Sequence, residues 1–131
     1  MVWTKTTKGY GDGQDENTRE ISRIADEPSV AGLDLLVDTG AAYSWLPRRF
    51  LEELGVKPVR RSRFKTIKGE VIVRDVGYAF VEYEGEIAPT VVVFAEEGDE
   101  SVLGLHALES LGLEVDPVTR QVRRSEALIA L

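Results

Sequence analysis

The stretch Leu35-Leu36-Val37-Asp38-Thr39-Gly40-Ala41-Ala42-Tyr43-Ser44-Trp45-Leu46-Pro47 decides how this chain is read. Three apolar residues run directly into Asp38, and such a run reads as a buried strand. A carboxylate at the end of a buried strand is costly to desolvate unless it is hydrogen-bonded or paired. Thr39 and Gly40 can supply that support: a hydroxyl, and a backbone without Cβ that can fold around the carboxylate. Asp38 is therefore the first candidate for chemistry.

Outward from this turn the chain divides into short elements. Leu33 to Val37 reads as a strand, and Pro47 to Leu54 as a short helix with Pro at its start and Gly55 at its stop. Phe50, Leu51 and Leu54 share its face. Phe64 to Ile67 and Val71 to Val73 flank Lys68-Gly69-Glu70, the pattern of a β-hairpin with Gly at the turn. Gly77 to Tyr83 alternates Tyr78, Phe80 and Glu82 against Ala79, Val81 and Tyr83, which predicts a strand with two distinct faces. Pro89 to Phe94 is β-branched and continuous, a core strand. After an acidic turn at 96–100, Ser101-Val102-Leu103-Gly104 leads into a second short helix whose face is Leu105, Leu108 and Leu111, ended by Gly112. Leu113 to Val115, the Asp116-Pro117 turn and Gln121 to Arg123 form a last hairpin. Many short strands at close turn spacing predict a small barrel or sandwich.

Residues 1–32 read as an irregular segment. Gly9 to Asn17 is turn-rich and polar, with no helical or strand period. Asp12, Gln14 and Glu16 alternate, but the glycines and a closing bidentate Glu are misplaced for a calcium loop. Residues 19–25 suit a helical turn around Ile21 and Ile24.

With 131 residues the chain suits one domain, and its hydrophobic share of 43% is that of an ordinary globular protein. No apolar run approaches the roughly 20 residues of a membrane span. The opening Met-Val-Trp-Thr-Lys-Thr-Thr-Lys lacks the apolar core of a secretory signal. No cysteine is present, so disulfides and thiolate metal sites are excluded and a cytoplasmic setting is expected. His106 alone cannot build a multi-histidine zinc site, and no cofactor or metal is expected. The net charge of −7 is unevenly spread. Residues 48–74 hold nine Lys or Arg against three Glu, whereas 75–116 hold eleven Asp or Glu and no cation. That balance argues against nucleic-acid binding while leaving a local basic strip, Arg60 to Lys65, which on its own reads as a solvated strand. Glu96 to Glu100 reads as a solvated turn, His106 as a surface residue, and Tyr43 and Trp45 as packing residues.

Four features fall in the order of a retropepsin-like, that is retroviral-type, aspartic protease. They are the apolar strand into Asp38-Thr39-Gly40-Ala41, the hairpin with Gly69 at its tip, the element Val102-Leu103-Gly104, and the short helix followed by Leu-Glu-Val-Asp-Pro-Val-Thr. The chain resembles that family, in particular its small prokaryotic branch, over residues 33–131. The resemblance implies an all-β fold, a small closed β-barrel with one or two short helices. It implies a homodimer, because the family works with two facing carboxylates and this chain has one Asp-Thr-Gly. On this reading Asp38 is catalytic, Thr39 resembles the residue whose hydroxyl ties the two active-site turns together, and Gly40 lets the backbone approach the substrate. Ala41, Ile67, Lys68 and Gly69 are implied to bind the peptide or protein substrate, the last three as a flap. The apolar tail Ala127-Leu128-Ile129-Ala130-Leu131 suits a terminal strand paired with a partner subunit. Two other readings stand beside this one: a dimerisation or peptide-binding module of the same fold with weak or absent hydrolysis, and a nucleic-acid-associated protein acting through residues 57–68.

Overall fold

The computed structural model describes residues 2–7 and 32–126, with side chains over 35–126. The readings of Gly9 to Asn17, of the turn at 19–25 and of the tail Ala127 to Leu131 lie outside the described residues. Nine strands and two short helices follow one another in the described chain. The strands are β1 (Val2–Thr7), β2 (Gly32–Val37), β3 (Ser44–Pro47), β4 (Arg60–Lys65), β5 (Val71–Tyr83), β6 (Glu86–Ala95), β7 (Val102–Leu103), β8 (Leu113–Val115) and β9 (Val122–Arg124). The helices are α1 (Arg48–Leu54) and α2 (Leu105–Ser110). The protein is thus mostly β, as the sequence predicts.

Seven strands form one sheet in the order β1-β2-β7-β3-β6-β5-β4, and β8 pairs with β9 separately. β1 runs parallel to β2 on one side and to β5 on the other, with Thr4 opposite Gly32 and Val2 opposite Phe80. This corrects the reading of residues 1–32 as wholly irregular: Val2–Thr7 is a sheet strand. Its Val-Trp-Thr-Lys-Thr-Thr composition suits a strand, but the glycine-rich run after it hides the short pattern, and its partners are far along the chain.

Hydrophobic burial fixes the two faces of the long strands. In β5, Val76, Ala79, Val81 and Tyr83 are buried while Tyr78 is exposed. Ala79, Val81 and Tyr83 pack in one core with Val92 and Phe94 of β6 and with Leu35 and Val37 of β2. The two predicted strand pieces around Val71–Val73 and Gly77–Tyr83 are one continuous strand, since residues 71–76 pair with β4 and residues 76–83 with β6. α1 buries Leu51 and Leu54 and ends at Gly55, whose left-handed φ of 84° suits glycine. α2 buries Ala107 and Leu108, followed by Leu111, whereas Leu105 is 39% exposed and does not belong to the packed face. A six-residue helix makes under two turns, so one apolar residue at its start can be left on the outer side.

Polar contacts lock the base of the β4–β5 arm. Arg48, at the start of α1, donates to Asp75 of β5 and to Glu96 after β6 at 2.5 and 2.9 Å, over the ring of Phe94. Those hydrogen bonds, that to Glu96 first, hold its guanidinium above the usual arginine range. Arg74 grips Asp99 through two bonds of 2.6 and 2.9 Å. The acidic turn at 96–100 is therefore partly neutralised by cations from elsewhere in the fold. Among the described residues no helix is long and apolar enough to cross a membrane.

Candidate active site

Asp38 sits where β2 ends, and its position is set by main-chain bonds to a segment more than sixty residues away. β2 runs parallel to β7, with Leu36 opposite Val102 and Val37 opposite Leu103. The pairing continues one step further, as the Asp38 N–H donates to the Leu103 carbonyl at 2.9 Å. The turn then closes on itself: the Ala41 N–H donates to the Asp38 carbonyl at 3.1 Å, and the Gly40 N–H to Asp38 Oδ1 at 2.9 Å. A Cβ at residue 40 would lie 3.1 Å from that same oxygen, so glycine is what allows the backbone to wrap the carboxylate. Asp38 is half-buried, with Thr39 and Gly40 exposed beside it.

The strand after the turn is held from below. Buried Ser44 accepts the Gly104 N–H at 3.0 Å. The N–H groups of Leu105 and His106, at the start of α2, donate to the carbonyls of Ala41 and Ala42 at 2.8 and 3.0 Å. Gly104 packs so closely under this loop that a Cβ there would be 2.3 Å from the Tyr43 carbonyl oxygen. The motif Val102-Leu103-Gly104 is thus a floor built from main chain.

A cavity of about 470 Å³ opens in front of the turn. Asp38, Gly40 and Ala41 line one side, and Phe64 to Ile67, from the end of β4 and the turn after it, line the other. Of the residues expected in a flap, Ile67 reaches this cavity and its side chain is fully exposed. Lys68 and Gly69 form the outer tip of the turn and do not line it. The tip closes through the Thr66 N–H on the Glu70 carbonyl and the Gly69 N–H on the Thr66 carbonyl, at 2.8 and 2.9 Å. Thr39 faces a second cavity, shared with Leu105, Leu108, Leu113 and Val115. Asp38 and Thr39 therefore open onto different spaces.

The aromatic wall of the first cavity is what sequence reasoning missed. Trp45 and Phe64 meet edge to face at 5.1 Å, Tyr43 lies 6.4 Å from Phe64, and Tyr43 also meets His106 at 6.2 Å. Tyr43 and Trp45 read as packing residues because they follow a turn and alternate. Phe64 is a single aromatic in a basic run. Trp45 lies on β3, Phe64 on β4 and Tyr43 in the bend before β3, and all three line one cavity although about twenty residues separate the two segments, so no local pattern joins them. Among the described residues no cluster of three His, Asp or Glu side chains could hold a metal ion.

Residues 29–110, more than half of the chain, match the family described as "gag-polyprotein putative aspartyl protease". No curated protein matches the chain. A solved structure, the solution structure of the protease of Simian Foamy Virus (mac), is similar over 71% of this chain and 92% of that one, at 22% identity and a TM-score of 0.44.

Proposed function

From the premise that the chain belongs to the gag-polyprotein aspartyl protease family, retropepsin-like aspartic proteases, we propose that it is a homodimeric aspartic endopeptidase. Two Asp38 carboxylates, one per subunit, face each other across a water and share one proton. Like charges that close do not both ionise, so the pair titrates as a unit with two separated apparent pKa values. The ionised member takes a proton from the water as it attacks the scissile carbonyl carbon. The protonated member donates to the carbonyl oxygen, and a proton then passes to the leaving nitrogen as the C–N bond breaks. Thr39 ties the two turns together, Gly40 and Ala41 admit the extended peptide, and Ile67, Lys68 and Gly69 close over it and exclude water. Main-chain pairing with strand edges holds the substrate.

The observation that carries this reading is the Asp38 turn itself: a half-buried carboxylate braced by the Gly40 N–H and opening onto a cavity with the β4–β5 turn on its far side. The pairing of β1 with both β2 and β5 supports a barrel and an ordered N-terminal strand within the protease domain. An irregular N-terminus would favour the competing reading, a binding module of the same fold with weak or absent hydrolysis, and the strand β1 counts against it. The test is cleavage of a proteome-derived peptide library between about pH 4 and 7, where a dyad can hold a single proton, with Asp38→Asn as control and the protomer count measured by light scattering. Cleavage by the wild-type dimer alone supports the reading. A dimer that binds peptides and cleaves none overturns it.

A further inference from the structure

The cations of this acidic protein are not all spoken for. Residues 57–69 hold six Lys or Arg and no carboxylate, in a chain of net charge −7. Arginines elsewhere are neutralised: Arg48 by Asp75 and Glu96, Arg74 by Asp99, and Arg123 by Glu114 and Asp116. On β4, Arg60 bonds the Tyr78 hydroxyl and Arg61 reaches Asp75 only at 3.8 Å. Arg63, Lys65 and Lys68 have no carboxylate within ion-pair distance among the described residues. Arg63 and Lys65 point to the same face of the hairpin, opposite Val73 and Val71, which are 42% and 53% exposed. Phe64, between them, belongs to the other face and lines the Asp38 cavity, which Lys65 also borders.

β4 is the last strand of its sheet and pairs only with β5 among the described residues. Its outer edge therefore presents backbone donors and acceptors to a further strand. A free edge, unpaired cations on it and a direct continuation into the cavity coincide on one strand. We propose that the protein selects acidic polypeptides, in which Asp and Glu residues flanking the cleaved bond lie extended along the free edge of β4 and pair with Arg63 and Lys65. This rests on the protease reading above and names the substrate class of that same site. An extended chain is favoured over a nucleic acid because the strip is a strand edge with exposed valines beside it, suited to main-chain pairing, and the exposed aromatic ring near it among the described residues, Tyr78, is already engaged by Arg60.

The test is fluorescence anisotropy with the Asp38→Asn protein, which keeps the probe intact. The probes are a labelled peptide alternating Glu and Val, its Gln and Val counterpart, and a single-stranded oligonucleotide of equal charge. The acidic peptide is expected to bind about tenfold tighter than the neutral one at low salt, the combined effect of a few exposed ion pairs, and to lose that advantage as salt rises. Adding Arg63→Gln and Lys65→Gln, both exposed substitutions, is expected to erase the discrimination while circular dichroism stays unchanged. Equal affinity for the two peptides overturns the proposal, as does discrimination that survives the double substitution, which would mark the cations as guards against strand pairing between copies. An oligonucleotide that binds as tightly as the acidic peptide also overturns it. Wild-type cleavage with no preference for the acidic peptide keeps the protease and removes this inference. Discrimination that depends on Arg63 and Lys65, in a protein that cleaves nothing, does the reverse.

Discussion

Replacing Gly104 by alanine isolates the packing beneath the active-site turn. The φ and ψ of Gly104, −88° and 174°, are extended values open to any residue, so no conformational strain enters. The cost is steric. A Cβ would lie 2.3 Å from the Tyr43 carbonyl oxygen, 2.5 Å from its carbon and 2.9 Å from the Ala41 oxygen, all main-chain atoms. Carbon and oxygen approach comfortably at about 3.3 Å or more, so loop and floor must separate by roughly 1 Å. That separation strains the bonds that join them: Gly104 to Ser44, Leu105 to Ala41 and His106 to Ala42. Overpacking costs about 1–3 kcal/mol, and losing two of the three bonds adds about 1 kcal/mol each. The sum, about 3–5 kcal/mol, is a large share of the roughly 5–15 kcal/mol that stabilises a domain.

The assay is urea unfolding followed by circular dichroism at one protomer concentration, since dimerisation would otherwise shift the midpoint. Gly69→Ala is the reference. It meets no atom within 4 Å but must adopt a φ of +87°, which costs about 1–2 kcal/mol. Gly104→Ala is expected to cost more, with an unchanged denaturant slope. A loss under about 1 kcal/mol, or one smaller than that of Gly69→Ala, would refute the idea that main-chain contact at Gly104 braces the turn.

Asp38→Asn is expected to lower cleavage by at least about 10³-fold, because both members of the dyad lose their proton-transfer role, while the protomer count in light scattering is unchanged. Phe64→Ala removes one side of the aromatic wall and is expected to raise KM severalfold, with a smaller change in kcat, in peptide-cleavage kinetics; an unchanged KM would take Phe64 out of the substrate groove. Arg74 hydrogen bonds lower the Asp99 pKa below its ordinary 3.8. A carboxylate with a lowered folded-state pKa stabilises above its unfolded value and ceases to do so as pH falls through the folded one. Stability is therefore expected to decline below about pH 3.8, and Asp99→Asn should cost about 1–2 kcal/mol at neutral pH and flatten that acid limb in urea titrations at several pH values. Hydrogen exchange is expected to be faster at residues 64–72 than at 76–83, and equal protection of the two segments would contradict the anchoring argued below.

What was legible in the sequence was local. The apolar run into Asp38, the Pro47 start and Gly55 stop of α1, and the glycine of the β4–β5 turn each declare themselves within a few residues, because strand period and turn chemistry are short-range. β1 was not legible: its partners, β2 and β5, lie about 30 and 80 residues away, and six residues of mixed polarity carry little pattern alone. The same holds within the site. Asp38 and Gly40 stand two positions apart and were read together, whereas Phe64 joins them only because β4 and the Asp38 turn flank one cavity. Ile67, Lys68 and Gly69 were read together by their place at the hairpin tip; of the three, Ile67 lines the cavity, next to Thr66, and Lys68 and Gly69 do not. The tail Ala127 to Leu131 and residues 8–31 lie outside the described structure.

The arm that carries this tip has unequal ends. At its base, Asp75 is gripped by Arg48, and neighbouring Arg74 by Asp99, so both faces of β5 are tied to the segment after β6. Beyond residue 74 towards the tip, Val71 and Val73 are exposed, and Arg63, Lys65 and Lys68 are unpaired among the described residues. Few buried apolar contacts and exposed ladder bonds are the conditions for local opening. A closing motion over the cavity therefore needs no hinge in the core, because it can be confined to the dozen or so residues outside the two arginine clamps. This geometry links the arm to substrate choice: its free edge is also its most weakly held part, so an acidic chain pairing along β4 would neutralise the unpaired cations and order the arm in the same step. Substrate charge would then act on closure as well as on affinity.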